Sequence, residues 1–261
     1  MRFVRERKVV QNDKYIDVDI ITYSTEQERR LPKTSKRKLS TPKQQAENEK
    51  NSRRHLIQLI NENFDESCFR VDLTYETEPP SREAAEKEAK KYAERLRTLY
   101  KKYGAEFKYV YVTGGGHPKK KEDGLTRIHH HFIVSGGVPR KEIKKRWKHG
   151  RTSCEELEAH SQENGFEALA VYLSKHKPPH KNQKLWRGST NLRQPTEVRN
   201  DNKYTFKKVR QLMQAEENGT LKELIEKQYK GYTCTDYEVK RNPVTWWPEI
   251  YIKLKRAKNT S

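Results

Sequence analysis

The stretch Arg127-Ile128-His129-His130-His131-Phe132-Ile133-Val134 decides how this chain is read. Its apolar and β-branched residues, broken at Gly136-Gly137, predict a strand over Arg127–Val134. In a strand, side chains alternate between faces, so His129 and His131 share one face with Ile133. His130 falls on the other, with Ile128, Phe132 and Val134. Residues two apart on a strand are separated by about 7 Å, close enough for two imidazoles to share one ion. Among apolar neighbours, His130 is expected to be packed and not to serve as a ligand.

Working outward, Glu106–Thr113 alternates as a second strand. A loop carrying Gly114-Gly115-Gly116 and Lys119-Lys120-Lys121 joins it to the histidine strand as a hairpin. Upstream, Cys68–Tyr75 reads as a further strand. Leu56, Leu59, Ile60 and Phe64 lie on one helical face within Arg54–Phe64. Ser81 and Ala84 open a helix whose apolar positions run to Tyr100 and which Gly104 ends. Pro139 starts a short basic helix reaching Trp147, and Phe166–His176 is a last helix stopped before Pro178-Pro179. The order α-β-α-β-β-α-α predicts an α+β fold, an antiparallel sheet with helices packed on it. Beyond this lie a helix at Lys222–Tyr229 and terminal strands at Tyr237–Val239 and Ile250–Leu254.

The whole chain has 261 residues, of which 32% are apolar, and 56 Lys and Arg against 36 acids give a formal charge of +20. These figures suggest one compact domain with basic extensions and a polyanionic partner. The 14 Tyr and 4 Trp add surfaces on which unpaired bases can stack. Cys68, Cys154 and Cys234 form no CxxC pair, consistent with a reducing cytoplasm. The start, MRFVRERKVV, lacks the apolar run of a signal peptide, and no window suits a membrane span. A cytoplasmic protein with no membrane partner is expected.

Between Lys177 and Arg210 ten basic residues face only Glu197 and Asp201. Lys181, Lys184, Trp186, Arg187 and Arg193 are therefore the candidates for holding a nucleic-acid backbone. About forty residues after the histidines, Tyr172 and Lys175 stand three apart on a predicted helix, so phenol and ammonium share a face. A nearby cation favours phenolate and can hold a phosphate oxygen, which suits a tyrosine attacking phosphorus. A tyrosine on an amphipathic helix is by itself most often packing; the histidine pair makes this one informative. Tyr204 is the reserve nucleophile.

In sequence order the chain offers Val71-Asp72-Leu73-Thr74-Tyr75, His129-His130-His131 and Tyr172-Leu173-Ser174-Lys175. This resembles the HUH endonucleases that initiate rolling-circle replication, the Rep-like proteins of bacterial plasmids, phages and integrative elements. The likeness extends to Asn61-Glu62-Asn63-Phe64, Lys108–Thr113, Trp147–Arg151 and Trp186–Leu192. It implies an RRM-like antiparallel sheet and a catalytic domain over residues 53–195. Residues 1–52 would then be a basic N-terminal arm or extension, and 196–261 a basic C-terminal extension packing on or continuing that domain.

The resemblance further implies a metal-dependent endonuclease that nicks single-stranded DNA at an origin through a 5′-phosphotyrosine on Tyr172, with Lys175 assisting. Mg²⁺ or Mn²⁺ would be held by His129, His131 and a third ligand. The family usually supplies that ligand near the end of the preceding strand, where this chain has Thr113-Gly114-Gly115, and Gly114 has no side chain to offer. Glu122 ranks first, since its carboxylate suits a hard cation, with His117, Asp123 and His176 as the other options. The expected partners are single-stranded DNA or an origin hairpin. Host helicase and polymerase join them, because no GxxxxGK[ST] loop occurs in the sequence. The same motifs fit a single-tyrosine transposase or a mobilisation relaxase. The basic and aromatic surface alone fits a non-catalytic, RRM-like single-strand binder.

Overall fold

The structure is a computed structural model and describes residues 2–25, 42–116, 126–158, 164–174, 184–242 and 245–257. In chain order the strands are β1 (Arg2–Gln11), β2 (Tyr15–Ser24), β3 (Phe69–Thr74), β4 (Tyr109–Gly114) and β5 (His129–Val134), then β6 (Thr152–Glu156), β7 (Arg187–Gly188), β8 (Thr196–Asn200), β9 (Tyr232–Arg241) and β10 (Pro248–Arg256). The helices are α1 (Pro42–Asn63), α2 (Arg82–Lys102), α3 (Arg140–Lys144), α4 (Glu167–Ser174), α5 (Phe206–Glu217) and α6 (Leu221–Gln228). The fold is α+β, with two antiparallel sheets and helices packed on them, and it divides into two compact units. Among the described residues no helix is long and apolar enough to cross a membrane.

The unit from the middle of the chain is built on a sheet of order β6-β3-β5-β4-β7. Strand β5 lies inside it, bonded to β3 and β4 on either side. Alternation gives each strand two apolar sets. Val71, Leu73, Tyr111, Phe132 and Val134 meet Tyr92 and Leu96 of α2. Val110, Val112 and Ile133 meet Leu56 and Ile60 of α1 and Ala170 and Leu173 of α4. The Ser81 hydroxyl caps α2 by accepting from the Ala84 amide at 3.1 Å, and Gly104 turns the chain out of it at φ +66°.

The other unit departs from the arm and extension read in the sequence. Strands from both ends of the chain form one sheet of order β8-β1-β2-β10-β9, with Val209, Leu212 and Ile225 from α5 and α6 packed on Val18, Ile20, Ile250 and Ile252. Short strands β6, β7 and β8 and helix α5 are also additions to the predicted order. Each is too short or too polar to show a clear period.

The end of β4 is set by backbone proximity. Gly114 stands opposite His129 in the β4–β5 register. Gly115, at φ +80°, runs so close to β5 that a Cβ there would lie 2.0 Å from the Arg127 carbonyl oxygen. The buried guanidinium of Arg82 binds this turn, donating to the carbonyls of Gly115 and Thr113. Gly116, at φ +75°, has nothing nearer its would-be Cβ than the Ile128 side chain at 3.7 Å. Gly115→Ala should therefore cost at least about 2 kcal/mol, combining left-handed strain with a forced strand separation, whereas Gly116→Ala should cost only about 1 kcal/mol of strain. Urea denaturation of the two variants measures this, and equal losses would contradict the close approach at Gly115.

Candidate active site

Strand parity carries over into the structure. His129 and His131 point to the face shared with Ile133, their ring centroids 4.9 Å apart. The Nδ1 of His131 lies 2.6 Å from the Asp72 carboxylate, and that of His129 lies 3.0 Å from the Arg127 carbonyl. Carbonyl and carboxylate oxygens only accept, so in each ring Nδ1 carries the hydrogen and Nε2 the lone pair. This is how metal-binding histidines are commonly oriented. Burial lowers the pKa of His129 against the hydrogen bond to Arg127, and His131 and Arg82 nearby act in the same direction as burial. The neutral, ligating form is favoured.

Asp72 is the residue that the sequence reading passed over. It sits directly across from His131 in the β3–β5 register, and Arg70 approaches its second oxygen at 3.3 Å. Burial opposes its charge, but the hydrogen bond from His131 and the charges of His131, Arg70 and His129 outweigh it and hold its pKa below the usual carboxylate range. The available signal was its place on the polar side of an alternating strand, Val71-Asp72-Leu73.

Among the described residues, no cluster of three or more His, Cys, Asp and Glu side chains could hold a metal. Of the options for a third ligand, His117, Glu122 and Asp123 lie in 117–125 and His176 in 175–183, outside the described residues. Lys175 and Lys181 lie outside them too. Imidazole nitrogens suit several divalent ions, and the two histidines fit a shared ion as two of its ligands.

Helix α4 brings Tyr172 to the pair. Its inner side is fixed by the buried Ala170, Leu173 and Ser174. Its start is tied to α1 where the Phe166 amide donates to Asn61 Oδ1 at 3.0 Å. Tyr172 is left 44% exposed, with its ring edge-on to His131 at 5.3 Å between centroids. The reserve candidate Tyr204 is excluded by its setting in the other unit. It is buried, hydrogen-bonded to Gln228 at 2.6 Å and Tyr229 at 3.0 Å, and burial pushes its pKa up to about 12.

The proposed DNA contacts are placed less uniformly. Trp186 is half-buried, its indole N–H donating to the Ser52 carbonyl at 3.3 Å. Arg187 is already paired with Glu86 at 2.5 Å. Arg193 is joined to Asn63 through its backbone amide and carbonyl, at 2.8 Å each, and Lys184 is exposed.

A family model described as replication-associated protein, of the ORF2 kind, matches residues 68–177. That segment, 110 of the 261 residues, runs from the start of β3 past α4 and so contains Asp72, the histidines and Tyr172. The middle of the chain is thus similar to proteins associated with replication. No curated protein and no solved structure matches the chain.

His130 points into the opposite core. Tyr75 Oη and Thr113 Oγ1 lie 2.9 Å from its Nε2 and Nδ1, and Tyr75, Tyr111 and Trp147 meet its ring edge-to-face. Burial, followed by the neighbouring His129, Arg82 and His131, lowers its pKa to about 3. An unfolded histidine takes up its proton near pH 6.5. Between about 6.5 and about 3 the unfolded chain therefore holds a proton that native His130 refuses. This contribution to stability is complete above the upper value and is lost as pH falls through the interval. His130→Asn removes the titration, so its stability deficit against the wild type should narrow by about 2 kcal/mol between about pH 7 and pH 5. Denaturant unfolding at the two pH values tests this, and a constant deficit would show that His130 is protonated normally in the fold.

Proposed function

We propose that this protein nicks single-stranded DNA at a replication origin, remains joined to the 5′ end through Tyr172, and so initiates rolling-circle replication. The observation that carries the reading is the placement of Tyr172 against His131, within a histidine pair whose ring nitrogens are ordered by Asp72 and Arg127. The net charge of +20 supports a DNA partner, and the similarity to replication-associated proteins supports the setting. Host helicase and polymerase are the proposed partners.

Nε2 of His129 and His131 would hold Mg²⁺ or Mn²⁺, which when bound neutralises charge on the scissile phosphate. Tyr172 Oη gives up its proton and bonds to phosphorus as the P–O3′ bond breaks. The 3′ oxygen takes up a proton and leaves as a hydroxyl able to prime synthesis. Because the phosphotyrosine conserves the phosphodiester energy, a later 3′ hydroxyl can reverse the step and rejoin the strand. Asp72 keeps the His131 ring in its tautomer and orientation throughout.

A denaturing gel with single-stranded DNA from the neighbouring locus and Mn²⁺ tests the reading. The wild type should form a covalent adduct and Tyr172→Phe none, with DNA affinity unchanged, since only the attacking oxygen is removed. An adduct on Tyr172→Phe would remove this residue as the nucleophile. By calorimetry, His129→Ala and His131→Ala should lose Mn²⁺ binding while His130→Ala keeps it. Asp72→Asn should weaken the ion by about 10- to 100-fold through the loosened His131. Loss confined to His130→Ala would place the ion on the other face of the sheet.

A further inference from the structure

At the β7 edge of the same unit lies a cleft of ≈ 620 Å³, a size that suits a small ligand. None of His129, His131 or Tyr172 lines it. Its lining instead combines aromatic rings with unneutralised cations. Trp186 and His55 stand against each other on one side, their ring centroids 5.8 Å apart. Lys90 of α2 and Lys184 border the cleft, both exposed and neither ion-paired with another described residue. Arg187 adds a guanidinium that Glu86 holds in place.

Tyr111 gives this cleft a specific polar group. The residue is only 2% exposed and lines the cleft, and its Oη is buried with no hydrogen-bond partner among the described residues. Such hydroxyls are rare in folded proteins because burial strips their water without replacement. A ligand bearing a donor or acceptor would supply what is missing. Its ring is meanwhile fixed by stacking on Phe132 at 4.7 Å, so the hydroxyl is presented from a rigid position.

An aromatic wall, two ammonium groups and one deep polar atom together match a nucleotide. We propose that this cleft binds one nucleotide of a single DNA strand, its base against Trp186 with a polar edge toward Tyr111 Oη and its phosphate at Lys90 and Lys184. The inference rests on the reading of the protein as a DNA-binding one but not on cleavage. It would give the enzyme a grip on the strand at a nucleotide apart from the one being cut.

The test uses the full-length Tyr172→Phe protein in EDTA, so that neither adduct formation nor a metal contributes. Fluorescence anisotropy follows a labelled short single-stranded oligodeoxynucleotide, with dTMP and dAMP as competitors. Lys90→Ala combined with Lys184→Ala should weaken binding by about tenfold and reduce the logarithmic salt slope by about 1.4, at about 0.7 for each phosphate no longer held. Tyr111→Phe keeps the stacked ring and should weaken binding by about fivefold, the scale of one hydrogen bond, with an unchanged Tm. Displacement by a mononucleotide would identify the nucleoside phosphate alone as sufficient, and its failure to displace a strand that the variants bind weakly would identify the strand as required. Oligonucleotide affinity and salt slope unchanged in both variants would overturn the proposal. Wild-type protein that forms no adduct with Mn²⁺ would count against cleavage while leaving the cleft result intact.

Discussion

The hydrogen bonds of His130 with Tyr75 and Thr113 bind three adjacent strands at one point. Tyr75 follows β3, Thr113 belongs to β4, and His130 lies on β5 between them. Because side chains alternate, a slip of one residue would drive His130 out of the core and turn His129 and His131 into it. The ring nitrogens of a buried imidazole need partners, and they find them only in the observed register. The core-facing histidine thereby determines what its two neighbours can do, although it has no contact with the space where they meet Tyr172.

Much of the site sits on elements that constrain one another. Asp72 reaches His131 across a paired strand, and Arg82 ties the Gly115 turn that passes closest to His129's strand. The tyrosine comes from a short helix tethered at its start by the Asn61 hydrogen bond, and its ring is substantially exposed. A rigid histidine pair with a more accessible nucleophile suits a residue that must carry a DNA end away and later return it.

The sequence was most legible where periodicity was strongest. The parity of 129 to 134 placed all three histidines on their faces, and the Ser81 cap and apolar spacing of α2 marked that helix. Asp72 was visible as a polar residue in an apolar alternation, yet its role depends on a neighbour 59 positions away, which no local pattern conveys. The Arg187–Glu86 pair was hidden for the same reason, so a basic residue in a basic stretch looked available when it was already engaged. The second sheet escaped because β1 reads as a charged segment until its long-range partners are known. Only the run from Tyr15 to Ile20 showed the alternation of a strand, and nothing nearby offered it a sheet.

That second sheet also orders events in time. Ile20 pairs with Ile250, so during synthesis the β1–β2 hairpin leaves the ribosome long before β10 exists to cover the outer edge of β2. Sheet β6-β3-β5-β4-β7 has all its strands once Gly188 has been made. The histidine-bearing unit can therefore mature while the hairpin still presents an unpaired strand edge, the kind of surface that recruits chaperones or pairs with another nascent chain. The most aggregation-prone interval in the life of this protein should fall late in translation, after the chemistry-bearing strands have assembled and before the last ones have been added.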